Sequence, residues 1–200
     1  MSTLRIKDLD KDPFKQFEKW FLQALQAKVI EPNAFTLATV SSDLKPSQRT
    51  VLLKIYDKDG FLFFSNTNSK KVDQIEQNPN ISAHFAWLGI ERQIRIEGTI
   101  KKVPNNKLFR TFLIRPKGNN LGSWISHQSQ IINSRSLLEM KFDQMRKKFA
   151  KKQIPFPSLW SAFQIVPDYF EYWQGSKDQL HERFVYKLVH NSWQLDQLDQ

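Results

Sequence analysis

The chain has 200 residues, 40% hydrophobic and 13% aromatic, enough for one domain with a sizeable core. It contains no cysteine, which excludes disulfides, thiolate zinc sites and cysteine nucleophiles, and its four His residues show no metal-ligand spacing. The net charge of +10 admits nucleic acid, an anionic membrane surface or small phosphorylated ligands as partners.

Residues 1–11 are polar, without the apolar run of a signal peptide, and are expected to be a flexible N-terminal segment. No window approaches the roughly 18–20 apolar residues of a membrane span, so a soluble cytoplasmic protein is expected. Residues 12–200 are expected to form a single domain. The first helix spans 12–29: Asp12 caps it, Pro13 takes the first helical position, and Phe14, Phe17, Phe21, Ala24 and Leu25 recur at helical spacing. Strands follow at 34–41 and 49–56. The DKDG turn at 57–60 leads into a third at 61–65, with Gly60 supplying the backbone freedom of the turn.

A short helix is expected over 68–77, stopped by Pro79, and a strand over 81–88. Residues 93–103 alternate, with Ile94, Ile96 and Ile100 on one face and Arg95, Glu97 and Lys101 on the other, which is the period of a half-buried antiparallel strand. Helices are expected at 105–114, opened by Pro104, and at 134–150, where Ser136 and Glu139 have capping-box spacing. The tail returns to strands at 160–166, 169–174 and 183–190, then a turn at Asn191–Ser192 and a short strand through Trp193. With no regular βα alternation, the pattern favours a mainly β, α+β fold: an antiparallel barrel with peripheral helices.

Three clusters carry candidate chemistry. On the strand that starts at Arg49, alternation sends Arg49, Val51 and Leu53 to one face and Thr50, Leu52 and Lys54 to the other, so the two cations serve different groups. In SNTNSKK, 65–71, Ser69, Lys70 and Lys71 open a helix, and hydroxyl, ammonium and helix N-terminus together suit a phosphate. A solvated turn is the competing reading of those residues. The third cluster joins SWISHQSQ, 123–130, with Trp173, His181 and Arg183 in WQGSKDQLHERF, 173–184. The basic run Arg146, Lys147, Lys148, Lys151 and Lys152 reads as a solvated helix face.

These stretches also carry a resemblance. RTVLLK at 49–54, FFSNTNSKK at 63–71, ERQIRIEG at 91–98, RPK with GSWISHQS at 115–129 and FEYWQGSKDQLHERF at 170–184 resemble the pyridoxamine 5'-phosphate oxidase family, in its order and spacing. The resemblance implies a split antiparallel Greek-key β-barrel that forms a homodimer with FMN at the subunit interface. It places Arg49, Ser65, Lys71 and neighbouring Lys70 at the FMN phosphate and ribityl chain. It gives Val51 and Leu52 as backbone contacts of the flavin, Gln93 at its polar edge, and Lys54 between flavin and substrate. Phe64 stands where the family often has Tyr, and Gln128, Ser129, Trp173 and Arg183 match the remaining FMN contacts, some from the second subunit.

On the substrate side the resemblance assigns Lys54 and Arg115 to the substrate phosphate, with Thr111 and Asn119 at two positions where the family has other residues. His181 and Gln179 fall where the family orients the substrate ring, but Gln179 stands in place of an Arg. The implied reaction is oxidation of pyridoxamine or pyridoxine 5'-phosphate to pyridoxal 5'-phosphate by oxygen, with no metal and no nucleic-acid or membrane partner. Two other readings stand beside it. One is a related FMN oxidase acting on another ring system, as in phenazine biosynthesis. The other is a non-catalytic module binding FMN or nucleic acid, the latter resting on charge alone.

Overall fold

The computed structural model describes residues 4–104, 129, 135–150, 158–176 and 180–199. Its strands are β1 (Ala34–Val40), β2 (Pro46–Asp57), β3 (Gly60–Asn66), β4 (Asn80–Trp87), β5 (Arg92–Val103), β6 (Trp160–Gln174), β7 (Glu182–Val189) and β8 (Ser192–Leu198). They form one sheet in the order β3-β2-β1-β4-β5-β6-β7-β8, every pairing antiparallel, and β3 also pairs with β6. That extra pairing closes the first six strands into a barrel. Its 3-2-1-4 order is the Greek-key arrangement that the resemblance implies.

The 15 residues of β6 serve two purposes. Residues 160–165 pair with β3 and close the barrel, while 169–174 pair with β7 and carry the β7–β8 hairpin beyond it. The sequence reading expected two strands here, broken near Pro167. They are one, because a register shift opposite Glu97 and Gly98 absorbs Asp168 as an extra residue. Pro167 sits at this irregularity, where its missing N–H is tolerated. Gly98 makes the bend possible: at φ +154° a Cβ would lie 2.2 Å from the Val166 carbonyl oxygen.

Helix α1 (Pro13–Gln26) starts as expected, with the Asp12 side chain accepting from the Phe14 N–H at 2.8 Å and Pro13 in the first turn. Phe17 and Trp20 are fully buried, and Phe17 packs edge-on against Phe61 and Phe85 at 4.8 and 5.2 Å. The segment before α1 is tied to the barrel: Leu9 lies in the core and the Tyr186 hydroxyl donates to the Asp10 carbonyl. Helix α2 (Lys70–Gln77) packs on β1, and helix α3 spans Arg135–Lys148.

Three local expectations are corrected. Ser136 and Glu139 both lie inside α3 rather than across its start, so their spacing does not make a capping box. The last turn is His190–Asn191, both at positive φ, and Ser192 already belongs to β8. Strict alternation on β2 ends at Leu53, because a bulge between Leu53 and Ile55 makes Lys54 the extra residue. The core-facing positions change from Leu53 to Tyr56 across it. The expected helix at 105–114 lies outside the described residues. Among the described residues no helix is long and apolar enough to cross a membrane.

Candidate active site

The first group of polar residues gathers where α2 meets the barrel. Arg49 lies on the inner face of the wall, because its cross-strand partner is Leu37, which continues through Ala83 and Ile96 to Phe170, all fully buried. Its guanidinium is fixed there: Nη1 donates to Thr39 Oγ1 at 2.6 Å and to the Leu37 carbonyl at 3.2 Å, and Nη2 reaches Gln74 Oε1 at 3.4 Å. Gln74 belongs to α2 and also accepts from Thr39, so helix and strand hold the arginine jointly.

Lys71, in the first turn of α2, is 6% exposed and donates to Ser65 Oγ at 3.1 Å and Ser69 Oγ at 3.3 Å. Ser65 and Ser69 are buried and 3.2 Å apart. Burial, and then the positive charge of Arg49, push the Lys71 ammonium down to about 8. The buried Lys71 and the half-buried Arg49 thus stand with two hydroxyls at the N-terminus of a helix. Among the described residues no carboxylate pairs with either of them. Such a donor set fits a phosphate dianion, which would neutralise the mutual repulsion and accept each N–H and O–H. The Lys70 backbone N–H donates to Ser129 Oγ at 3.3 Å, bringing Ser129 to the same helix end.

The second group lies on the outer face of the wall. Gln93, Trp173 and Arg183 are cross-strand partners in one row over β5, β6 and β7. The next row holds His84, Arg95 and Glu171. His84, Gln93, Arg95, Glu171 and Trp173 line a half-open pocket of about 170 Å3. Within it His84 Nε2 and Gln93 Oε1 lie 3.0 Å apart. Glu171 pairs with Arg95 at 2.7 Å and with Arg183 at 3.0 Å. His181 stands against Trp173, ring centroids 4.7 Å apart, and its Nδ1 accepts from the Ser176 N–H at 3.5 Å.

The expected residues therefore divide. Arg49, Ser65, Lys70, Lys71 and Ser129 come together, and so do Gln93, Trp173, His181 and Arg183, but on opposite faces of one wall. Val51 and Leu52 lie on β2 just before Leu53, where its pairing with β3 begins, so their main chain borders the opening of the barrel. Lys54 sits at the bulge beside them. Phe64 turns away from Ser65 into a separate cluster with Leu62, Val103 and Ala162. Thr111, Arg115, Asn119, Gln128 and Gln179 lie outside the described residues. Sequence reasoning missed Thr39, Gln74, His84, Arg95 and Glu171 as site residues. Only Glu171 carried a signal, as a lone carboxylate in the apolar run YFEYW.

Residues 21–149 match the family described as pyridoxamine 5'-phosphate oxidase, and residues 160–199 match the pyridoxine 5'-phosphate oxidase C-terminal dimerisation region. The chain is 54% identical over 196 residues to the pyridoxine/pyridoxamine 5'-phosphate oxidase of Aliarcobacter butzleri (strain RM4018), covering 98% of this chain and 92% of that protein. It is 52% identical to the protein of the same name from Rippkaea orientalis (strain PCC 8801 / RF-1), over 96% and 91% of the two chains. Among solved structures it superposes with a TM-score of 0.93 on PhzG from Burkholderia lata 383 in complex with tetrahydrophenazine-1-carboxylic acid. That structure is 26% identical, with 99% of this chain and 98% of the other covered. With both family regions matched in order along a six-stranded Greek-key barrel, the chain belongs to the pyridoxamine 5'-phosphate oxidase family.

Proposed function

We propose that this chain is an FMN-dependent oxidase that converts pyridoxamine and pyridoxine 5'-phosphate to pyridoxal 5'-phosphate, with oxygen as electron acceptor. Within a chain of this family, the observation that carries the reading is the buried Lys71 beside the half-buried Arg49, both bonded to hydroxyls and without a carboxylate partner among the described residues. FMN, when bound, supplies a two-electron acceptor for the substrate carbon bearing the amine or alcohol, which the side chains alone do not provide. Arg49, Lys71 and Ser65, with Lys70 and Ser129 beside them, would hold its phosphate and ribityl chain. Each charge-assisted bond contributes about 1.5–3 kcal/mol.

Gln93, Trp173 and Arg183 would meet the flavin from the second subunit of a homodimer. Support comes from geometry: within one chain these residues and Arg49 point to opposite sides of the same wall. The match of 160–199 to a dimerisation region agrees with a homodimer. Gln128, Val51, Leu52 and Phe64 complete the cofactor contacts in this reading. Lys54 and Arg115 would clamp the substrate phosphate, with Thr111 and Asn119 adding neutral donors. His181 would orient the substrate ring, and Gln179 would lie over it. Positioning is the main contribution, and no covalent nucleophile is needed.

The test is direct: the purified protein is yellow with FMN and forms pyridoxal 5'-phosphate, with hydrogen peroxide, from either substrate. An FMN-loaded protein that turns over neither would overturn the proposal. The similarity to PhzG supports a second reading, an FMN oxidase for an unphosphorylated ring, in which Thr111, Asn119 and Gln179 reflect a changed substrate. Gln179→Arg separates the two, since only the first reading expects a gain in pyridoxamine 5'-phosphate turnover, of about tenfold.

A further inference from the structure

We infer that Glu171 is a positioning residue of the cofactor site: its carboxylate holds Arg183 in the orientation that meets the flavin. The inference rests on the function proposed above. Glu171 is 8% exposed, yet it lies on the outer face of the wall, two residues before Trp173 on β6. Its two oxygens are divided between two arginines. Oε2 accepts from Arg95 Nη2 at 2.7 Å and from the Tyr169 hydroxyl at 3.2 Å, while Oε1 accepts from Arg183 Nε at 3.0 Å.

Arg183 is held a second time, by Nη1 donating to the Asp199 carbonyl at 3.2 Å. A guanidinium is planar, so fixing Nε and Nη1 also fixes the direction of Nη2. Nη2 has no partner among the described residues and is the group left to donate outward. Arg183 is in turn the cross-strand partner of Trp173, and Trp173 of Gln93. Glu171 thus sets the arginine at the end of that row and lines the pocket beside it.

Fold stability alone does not call for this arrangement. A buried ion pair gains little over apolar residues of the same volume, because desolvation offsets the attraction. The neighbouring positions on this strand, Phe170 and Tyr172, already supply fully buried apolar packing to the core. A carboxylate held between two arginines instead does what a hydrocarbon cannot: it fixes a cation's direction and keeps the two arginines from repelling each other.

The test uses the full-length dimer and FMN titration, with Glu171→Gln, Arg183→Ala and the double variant. Glu171→Gln keeps size and one acceptor but loses the charge, and is expected to weaken FMN binding about tenfold. Its unfolding midpoint without FMN is expected to fall, because two arginines lose their shared counter-charge, so the inference is read from FMN affinity with and without Arg183 and not from stability. In the Arg183→Ala background the same substitution should cost almost nothing, because its target is gone. Unchanged FMN affinity in Glu171→Gln, or an equal loss with and without Arg183, would overturn the inference. If Glu171→Gln fails to fold, Glu171→Asp takes its place: it keeps the charge but retracts the carboxylate, and a several-fold loss that disappears without Arg183 is expected. Wild-type FMN affinity and turnover, measured alongside, keep the two proposals apart. Their absence overturns the function, whereas normal values with an indifferent Glu171 variant overturn this inference alone.

Discussion

Lys71 is buried beside Arg49, and burial first, then that charge, lower its pKa from 10.5 to about 8. In the cofactor-free protein the lysine therefore sheds its proton between pH 8 and 10.5 while the unfolded chain keeps it. The unfolded state binds more protons in that window, so this group's contribution to stability rises with pH there. Binding of a phosphate runs the other way, since the dianion needs the ammonium form. FMN affinity is expected to be level from about pH 7 to 8 and then to fall, approaching about tenfold per pH unit, as binding draws a proton from solution. Fluorescence titrations across pH 7–9.5 check this, and Lys71→Met should bind more weakly and lose the alkaline slope. Arg49→Ala should weaken FMN at every pH, by about tenfold to a hundredfold. These two cations were legible in the sequence because one stands in a run of strand formers and the other in the first turn of a helix, although β2 begins at Pro46, three residues before the expected start at Arg49. Thr39 and Gln74, which aim Arg49, were not: their contact joins residues 35 apart, and neither has a local pattern that announces it.

At the level of elements, the sequence patterns located α1, α2 and β1 to β5 to within a few residues, since each carries its own period or cap. They failed where geometry depends on a partner strand. The break expected near Pro167 is bridged because β5 supplies the compensating bend at Gly98, and nothing within 160–174 records that. The bulge at Lys54 is likewise a property of the β2–β3 pair. Gly98→Ala is a test of this account. The new methyl group would meet backbone, the Val166 carbonyl oxygen at 2.2 Å, at a φ of +154° that L residues rarely adopt. A loss of at least about 1–3 kcal/mol is expected from the dihedral alone. The corresponding fall in the unfolding midpoint is about 2–12 °C by thermal scanning, with the clash adding to it. A midpoint unchanged within error would show that the bend does not depend on glycine.

For the molecule as a whole, the division of site residues between the two faces of the wall has a consequence that activity measurements can count. Arg49 points inward with Leu37, and Arg183 stands outside in the row with Trp173 and Gln93, so under the proposed function one chain would not bring both to one flavin. In a two-fold dimer each site would take Arg49 from one subunit and Arg183 from the other. Dimers of Arg49→Ala alone have two defective sites, and so do dimers of Arg183→Ala alone. A mixed dimer concentrates both substitutions in one site and leaves the other intact. Random exchange makes half of the dimers mixed, so mixing the two weak variants should restore about a quarter of wild-type turnover. The measurement is pyridoxal 5'-phosphate formation after the variants are unfolded and refolded together in equal amounts, against each refolded alone. A mixture no more active than its components would mean that Arg49 and Arg183 of the same chain serve one site, and the shared-site reading would fall. Recovery near a quarter would instead explain why two well-formed clusters sit on opposite sides of one barrel wall.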